Sequence, residues 1–461
     1  MSLSSNQQGG LAALLLVGLA AISGYALMGP SDSTIETEPE PEPVVENIDP
    51  HTVLFVVLDT VRSENLNLCG YDRPNTPMLN RLRDQGAVFT CDAHSPSFWT
   101  LPSHVSYFTG LPVAEHGALK WGNSLPDDVP TLAEQMAERG YRTAMVAANP
   151  LFNKVTGMQR GFEMAHVQKG AGGGKQAIKG VRRVLKNVGP DEKLFLFVNI
   201  FDAHDPYPAI PEGVGWVDAQ EELNLGTKNK GREDGAANPY KPLQVYTDFV
   251  EGKMNAEDEA ELKRKVRNGY DYGIYQADKI LSGVLSALIE NNRAESYRLI
   301  VTSDHGEFLG EHQQLRHHCC TNEVVTRVPL MFSDSTLEVQ PDLSGNLSAM
   351  VAYNLVKDGR LPTDAGTPTA IGSNPGRDYA EVAMWATATE KVVAGGELRK
   401  YDLAADPGEL APMPIGGHPL GDVVTDLSND LTEKYFSEDE VDPDDPEMAK
   451  LLEQMGYVDP D

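Results

Sequence analysis

Positive charge is what this sequence lacks most. Its 461 residues include 38 Lys and Arg against 68 Asp and Glu, a net charge of −30. That balance argues against nucleic acid as a partner, because neutralising phosphates takes a basic face. Cysteine is scarce as well: Cys69, Cys91, Cys319 and Cys320 form no CxxC pair, which argues against a zinc ribbon. Four cysteines allow three disulfide pairings, and the sequence does not choose among them or against buried thiols. There are no internal repeats. The glycine run from Gly170 to Gly174 precedes Lys175 without the spacing of a P-loop, so it carries no nucleotide role.

Long apolar runs are equally rare, with one from Gly9 to Met28. About 20 apolar residues suffice to span a bilayer, and the small residues in the run would also suit signal-peptide cleavage. No basic residue precedes it, so its orientation is poorly specified. Residues 1–29 are therefore expected to be a membrane anchor or a signal peptide, and the chain to be extracytoplasmic. Residues 30–50, centred on alternating Glu and Pro between Glu36 and Pro43, cannot build a core and read as a spacer.

Beyond the spacer the chain is long enough for one large domain and a smaller one. Apolar runs at 53–58, 194–201 and 298–303 read as buried strands of a mostly parallel sheet. Each meets polar residues at its carboxyl end: Asp59, then Asp202 and His204, then Asp304 and His305. Ligands of open α/β sheets bind beyond that edge. A further strand ends at Asn149. Helices are predicted over 76–85, 131–139 and 256–291, the last broken near Gly269.

Between these strands lies Ser97-Phe98-Trp99-Thr100-Leu101-Pro102-Ser103-His104. Pro102 suits a first helical position, and Gly110 a stop, so a short helix is predicted over 103–110. That places the Thr100 hydroxyl at the positive end of a helix, where an anion such as phosphate or sulfate is favoured. Alone, such a Thr would be an ordinary cap. The strand-end acids and histidines around it point to a site.

With these residues in view, the chain resembles the sulfatase family of the alkaline phosphatase superfamily over about residues 52–410. Pro96 to Gly110 looks like the sulfatase nucleophile signature, with Pro-Ser at 102–103 and Thr-Gly at 109–110. The resemblance implies an α/β fold: a central mixed, mostly parallel sheet flanked by helices (51–335), a small antiparallel C-terminal subdomain (336–411) and an acidic tail (412–461). It implies that Asp59, Asp304 and His305 hold a divalent metal, with calcium, magnesium, manganese and zinc left open. Asp202-Ala203-His204-Asp205-Pro206-Tyr207 is similar to a family stretch whose His contacts the transferred group. Spacing to Arg327-Val328-Pro329 puts His317 in a second such place, with His318 beside it and His312 a weaker candidate. His116 reads as structural. His104 and Arg62 are expected to contact an anionic substrate.

Three departures bear on the chemistry. The family has Cys or Ser at position 100, oxidised to formylglycine, and Thr cannot yield that aldehyde. The signature Arg at 104 is His. Thr60 stands where many members have a second Asp, which favours a leaner metal site. The expected chemistry is hydrolysis of a sulfate or phosphate ester by a Thr nucleophile. Two alternatives remain: a membrane-tethered phosphodiesterase or phosphotransferase acting on lipid or glycan head groups, and a non-catalytic binding protein on the same fold.

Overall fold

In this computed structural model the described residues are 49–119, 123–168, 174–225, 244–317, 320–363, 369–370, 383–395, 397–415 and isolated positions between 421 and 429. The apolar run 9–28, nearly all of the spacer, residues 170–173, His318 and most of the acidic tail lie outside them. No helix among the described residues is long and apolar enough to cross a membrane.

The strands, in chain order, are β1 (Thr52–Leu58), β2 (Val88–His94), β3 (Arg142–Ala147), β4 (Met164–Val167), β5 (Leu194–Ile200), β6 (Tyr297–Thr302), the two-residue pair β7 (Phe308–Leu309) and β8 (Leu315–Arg316), β9 (Arg327–Asp334) and β10 (Leu347–Ser348). All but β7 and β8 form one eight-stranded sheet, ordered β10-β2-β9-β6-β1-β5-β3-β4. It is parallel throughout except at β9, which runs antiparallel to β2 and β6. The helices are α1 (Pro77–Asp84), α2 (Thr100–Thr109), α3 (Val113–His116), α4 (Leu132–Glu138), α5 (Lys175–Leu185), α6 (Gln244–Val250), α7 (Ala256–Glu290), α8 (Glu323–Thr326) and α9 (Val351–Asp358).

Strand β1 is buried at every position, and apolar from Val53 to Leu58, because helices cover both faces. Successive side chains alternate between two cores. Leu54, Val56 and Leu58, with Leu196 and Val198 of β5, pack among residues of α5 and α7 such as Val181, Val184, Leu281 and Val284. Val53, Phe55 and Val57, with Phe195 and Phe197, pack on the other face among Leu101, Val105, Leu132, Met136 and Leu355. Each fully buried aliphatic or Phe side chain contributes about 1.5–3 kcal/mol, so these two layers hold the strand ends in fixed register.

Helix α7 runs unbroken for 35 residues, against the break expected at Gly269. A lone helical glycine costs only about 1 kcal/mol relative to Ala, and here its missing side chain is used for packing. A Cβ at 269 would lie 2.7 Å from the Tyr207 Cβ, and one at 273 would lie 2.4 Å from the Asp202 carbonyl oxygen. One turn of glycines thus lets the loop after β5 rest on the helix. The other end of the sheet is tied by Cys69–Cys91, whose Cα atoms are 5.9 Å apart.

The small C-terminal sheet is antiparallel, with β11 (Thr369–Ala370), β12 (Ala383–Ala386), β13 (Glu390–Gly395) and β14 (Glu397–Asp402) in that order. The expected boundary at 335/336 is corrected. β10 pairs with β2, and Val351, Leu355 and Val356 of α9 pack in the same core as Val53 and Phe55, so residues 347–358 belong to the large sheet's layers. Helix α9 starts at Val351, after that edge strand.

Candidate active site

Strands β1 and β6 lie side by side and parallel, so the residues that follow them meet at one edge. Asp59 follows β1, and Asp304 and His305 stand just past β6. Their ligand atoms lie within 4.8 Å of one another, and all three side chains are buried. One oxygen of each carboxylate is occupied. Asp304 Oδ1 accepts from the Thr60 and His305 backbone N–H groups, both at 3.1 Å. Asp59 Oδ2 accepts from Asn199 Nδ2 at 3.0 Å and from Asn149 Nδ2 at 3.1 Å. Asp59 Oδ1 and Asp304 Oδ2 are buried without a hydrogen-bond partner. His305 donates through Nδ1 to the Gly306 carbonyl at 2.9 Å, which leaves Nε2 with its lone pair toward the carboxylates.

Burial, reinforced by the Asp304 charge, pushes Asp59 up to about 7. Burial likewise pushes Asp304 up to about 7 and holds His305 below its ordinary value. Two orphaned carboxylate oxygens and an imidazole lone pair in one dry spot fit a divalent cation, whose charge would reverse the cost of ionising both acids.

Thr100 is the first residue of α2 and is buried beside this set. Its Oγ1 lies 3.5 Å from His305 Nε2 and receives Asn149 Nδ2 at 3.4 Å. The helix starts three residues earlier than expected, because Trp99, in extended backbone, is its N-cap. Pro102 therefore occupies the third helical position. Its missing N–H still costs nothing there, since the first turn has no intrahelical acceptors to satisfy.

His104, expected to contact an anionic substrate, lies with Nδ1 3.6 Å from Asp304 Oδ2. It is fully buried, donates through Nδ1 to the Thr100 carbonyl at 2.9 Å, and its ring is boxed by Tyr107, Phe108, Phe152 and Phe197. Burial pushes it down to about 3, so it is neutral and braces the first turn of α2 from below. Arg62, the other residue expected to contact an anion, is committed to protein groups. Its guanidinium is buried and bonded to Glu311 at 2.9 Å, Glu64 at 2.9 Å, Asn65 Oδ1 at 2.6 Å and the Glu307 carbonyl at 2.9 Å. A cation with two carboxylates already in place ties these loops together.

His204 and His317 come together at the site. The His317 ring centroid is 4.3 Å from that of His305 and 5.2 Å from that of His204. His204 stacks on Phe201 at 4.1 Å, and its Nδ1 donates to the Asp205 carbonyl. Burial, helped by the Arg316 charge, pushes His204 down to about 3. His317 is held through Nδ1 by Glu307 Oε1 at 3.2 Å, and Tyr207 donates to Glu307 Oε2 at 2.7 Å. Burial pushes Glu307 up to about 8. His312 is exposed and bonds Asn322. His116 contacts Ser106 at 3.0 Å and accepts from the Ala118 N–H, a structural place.

Sequence reasoning passed over Asn149, Asn199, Glu307, Tyr207 and Arg316. The strand-end signal was present for Asn149, which stands two residues past β3. Asn199 lies within β5, where polarity among apolar neighbours was the only cue.

Comparison with known proteins agrees with this geometry. The sulfatase family profile matches residues 51–353. The chain belongs to the sulfatase family. Among curated sulfatases, arylsulfatase K of Rattus norvegicus is 22% identical over 378 residues, covering 74% of this chain and 63% of its own length. The chain thus spans less than two thirds of that relative. Two solved structures share the fold. The phosphonate monoester hydrolase of Agrobacterium radiobacter has a TM-score of 0.62 at 16% identity, covering 84% of this chain and 96% of its own. A 2-O GAG sulfatase has a TM-score of 0.58 at 14% identity, covering 84% and 93%. This member places its acids and histidines at the carboxyl edge of an alkaline-phosphatase-like sheet, with Thr100 opening the helix beside them.

Proposed function

We propose that this sulfatase-family protein is a metal-dependent ester hydrolase that cleaves sulfate or phosphate esters through a covalent Thr100 intermediate. The observation that carries this reading is the Thr100 hydroxyl at 3.5 Å from His305, beside two buried carboxylate oxygens with no partner. Asp59, Asp304 and His305 would hold the cation. When bound, it supplies positive charge that lowers the hydroxyl pKa and offsets charge on the transferred group.

The chain's own residues do the rest. Thr100 Oγ1 releases its proton to solvent and attacks sulfur or phosphorus. The new ester bond forms while the bond to the leaving oxygen breaks. Asn149 Nδ2, locked by its Oδ1 accepting from the Leu151 N–H at 3.0 Å, keeps a donor on the Thr100 oxygen. His317, oriented by Glu307, gives a proton to the leaving oxygen. His204, whose Nδ1–H is committed to a carbonyl, offers Nε2 as an acceptor for the water that cleaves the Thr ester. Water attack then releases inorganic sulfate or phosphate, and the Thr100 oxygen takes back a proton from solvent.

The Thr itself favours phosphate, because an ordinary Thr ester must be cleaved by a second displacement, without the aldehyde hydrate of formylglycine enzymes. Transfer of a head group to an acceptor other than water is the second reading, supported by the same residue. The substrate classes are small-molecule, glycan or lipid esters, and the Cys69–Cys91 bond supports an extracytoplasmic site of action, with the segment before residue 30 as anchor or signal.

The test is intact-mass spectrometry after brief incubation with 4-nitrophenyl sulfate or 4-nitrophenyl phosphate in the presence of manganese. An added sulfuryl or phosphoryl mass, absent from Thr100→Ala, is expected and names the group moved. Turnover that persists in Thr100→Ala would overturn the nucleophile assignment. Absence of metal binding would move the assignment to a binding protein.

A further inference from the structure

Away from the reacting groups, one cluster of fully buried charges joins the two sheets. Lys391 on β13 is fully buried, with Nζ 3.1 Å from Glu323 Oε1 and 2.9 Å from Glu409 Oε1, and it also donates to the Thr321 carbonyl. Glu409 Oε2 accepts from the Glu323 backbone N–H at 2.7 Å. His94 Nε2, at the end of β2, meets Glu323 Oε2 at 3.0 Å. Glu323 opens α8. The attraction to Lys391 and His94 holds Glu323 well below the usual carboxylate range despite its burial.

What this cluster touches next gives it its meaning. The α8 carbonyls of Val325 and Val324 accept from the N–H groups of Gly306 at 2.6 Å and Glu307 at 3.1 Å. A Cβ at Gly306 would lie 2.3 Å from the Val324 carbonyl oxygen, so the fit is backbone against backbone. Residues 306 and 307 directly follow His305, and Glu307 is the group that orients His317. On its other side, His94 is followed by Ser95, whose N–H donates to the Thr326 carbonyl at 2.7 Å and whose Oγ donates to the Ser97 carbonyl at 2.7 Å. That segment leads into Thr100. Glu323 therefore stands where the nucleophile loop, the metal loop and the C-terminal sheet meet.

We propose that Lys391 is a positioning residue: through Glu323 it makes the C-terminal sheet set the spacing between the Thr100 loop and the His305–Glu307 loop. The inference rests on the activity proposed above. It goes beyond it by making the small sheet part of the catalytic apparatus although that sheet contributes no residue to the assembled site. A buried salt bridge of this kind is weak evidence for stability as such, since desolvation offsets much of its attraction. Its value here is geometric, because each partner is fixed by at least one further bond.

The experiment compares Lys391→Met and Lys391→Arg with the wild type, well below the melting temperature of each. The readouts are turnover of 4-nitrophenyl phosphate and 4-nitrophenyl sulfate, and calorimetric titration with MnCl2. In folded Lys391→Met, kcat is expected to fall by about tenfold or more while KM stays within about threefold, and the Mn2+ Kd to rise by about threefold or more, as a small misplacement of reacting groups does. Lys391→Arg, which keeps the charge, is expected to recover most of both. Where Lys391→Met does not fold, Lys391→Met/Glu409→Gln, which removes one buried charge of each sign, carries the same expectation. Wild-type kcat and wild-type Mn2+ affinity in a folded variant would overturn the proposal and leave Lys391 a purely structural tie. A wild type that binds Mn2+ without turning over either ester would instead sink the proposed activity, and the Mn2+ affinity of the variants would then decide this inference alone.

Discussion

Asp304→Asn offers a sharp test of the metal reading, because it should improve the metal-free protein while destroying its function. Asp304 Oδ1 is satisfied by two backbone N–H groups, and an Asn carbonyl can keep both. Oδ2 has no hydrogen-bond partner, faces the Asp59 side of the site and lies 3.4 Å from His305 Nε2, so an amide N–H there gains an acceptor. Without metal, burial raises the Asp304 carboxyl from its ordinary 3.8 to about 7. Ionising it in the folded state therefore costs about 3 pH units of linkage, or about 4 kcal/mol at about 1.4 kcal/mol per unit.

The sign follows from proton counts. Between pH 3.8 and about 7 the folded state holds a proton that the unfolded state has lost, so this acid's contribution to stability falls as pH rises through that window and is fully lost above it. Metal-free Asp304→Asn should be more stable than the metal-free wild type by up to about 4 kcal/mol at pH 8.5, shrinking to about 2 kcal/mol at pH 5. For a folded unit of this size that is roughly 5 °C in melting temperature. Calorimetry in EDTA at both pH values measures it, and the same variant should no longer be stabilised by manganese. A variant less stable than the wild type at pH 8.5 in EDTA would refute the idea that the two buried carboxylates await a cation.

Three other expectations follow from the geometry. Asn149→Ala removes the donor shared by Asp59 and Thr100 and should lower kcat by about a hundredfold, as loss of one preorganised donor commonly does; a steady-state assay with either nitrophenyl ester checks it. Gly273→Ala would put a methyl 2.4 Å from the Asp202 carbonyl, so denaturant melts should show a loss of about 1–3 kcal/mol, together with reduced activity as the His204 loop is displaced. Removing the Cys69–Cys91 bond by Cys69→Ser/Cys91→Ser should cost about 3 kcal/mol for a loop of this length without changing KM, since neither cysteine touches the site.

Three groups around Thr100 bear on the proposed chemistry. Where the family signature has Arg, His104 is neutral and sealed among aromatic rings, so the positive charge lost there is not replaced at the same position. Arg316, held in a left-handed backbone conformation beside Asp205, brings a guanidinium to the His204 side of the site instead. A neutral amide, Asn149, donates to the Thr100 hydroxyl. On the proposed mechanism these features would suit a group whose charge is met chiefly by a cation and the helix terminus.

The sequence by itself determined the features that depend on neighbours along the chain. An apolar run buried on both faces must be a central strand, and the polar residue that ends it must lie at the sheet edge. That rule located Asp59, Asp304, His305 and His204 and placed Thr100 near a helix terminus. Local signals also set the helix stop at Gly110. What only the tertiary structure decided is the direction and company of each side chain. Arg62 and His104 carry the right chemistry to meet an anion, yet both point into buried networks whose partners lie on other elements, up to 249 residues away for Arg62 and Glu311. Asn199 and Glu307 became site residues because β5 and β6 flank β1. The division between the sheets moved because a two-residue edge strand and one helix complete the large core, and burial of that kind is a property of the assembled layers that no local pattern records.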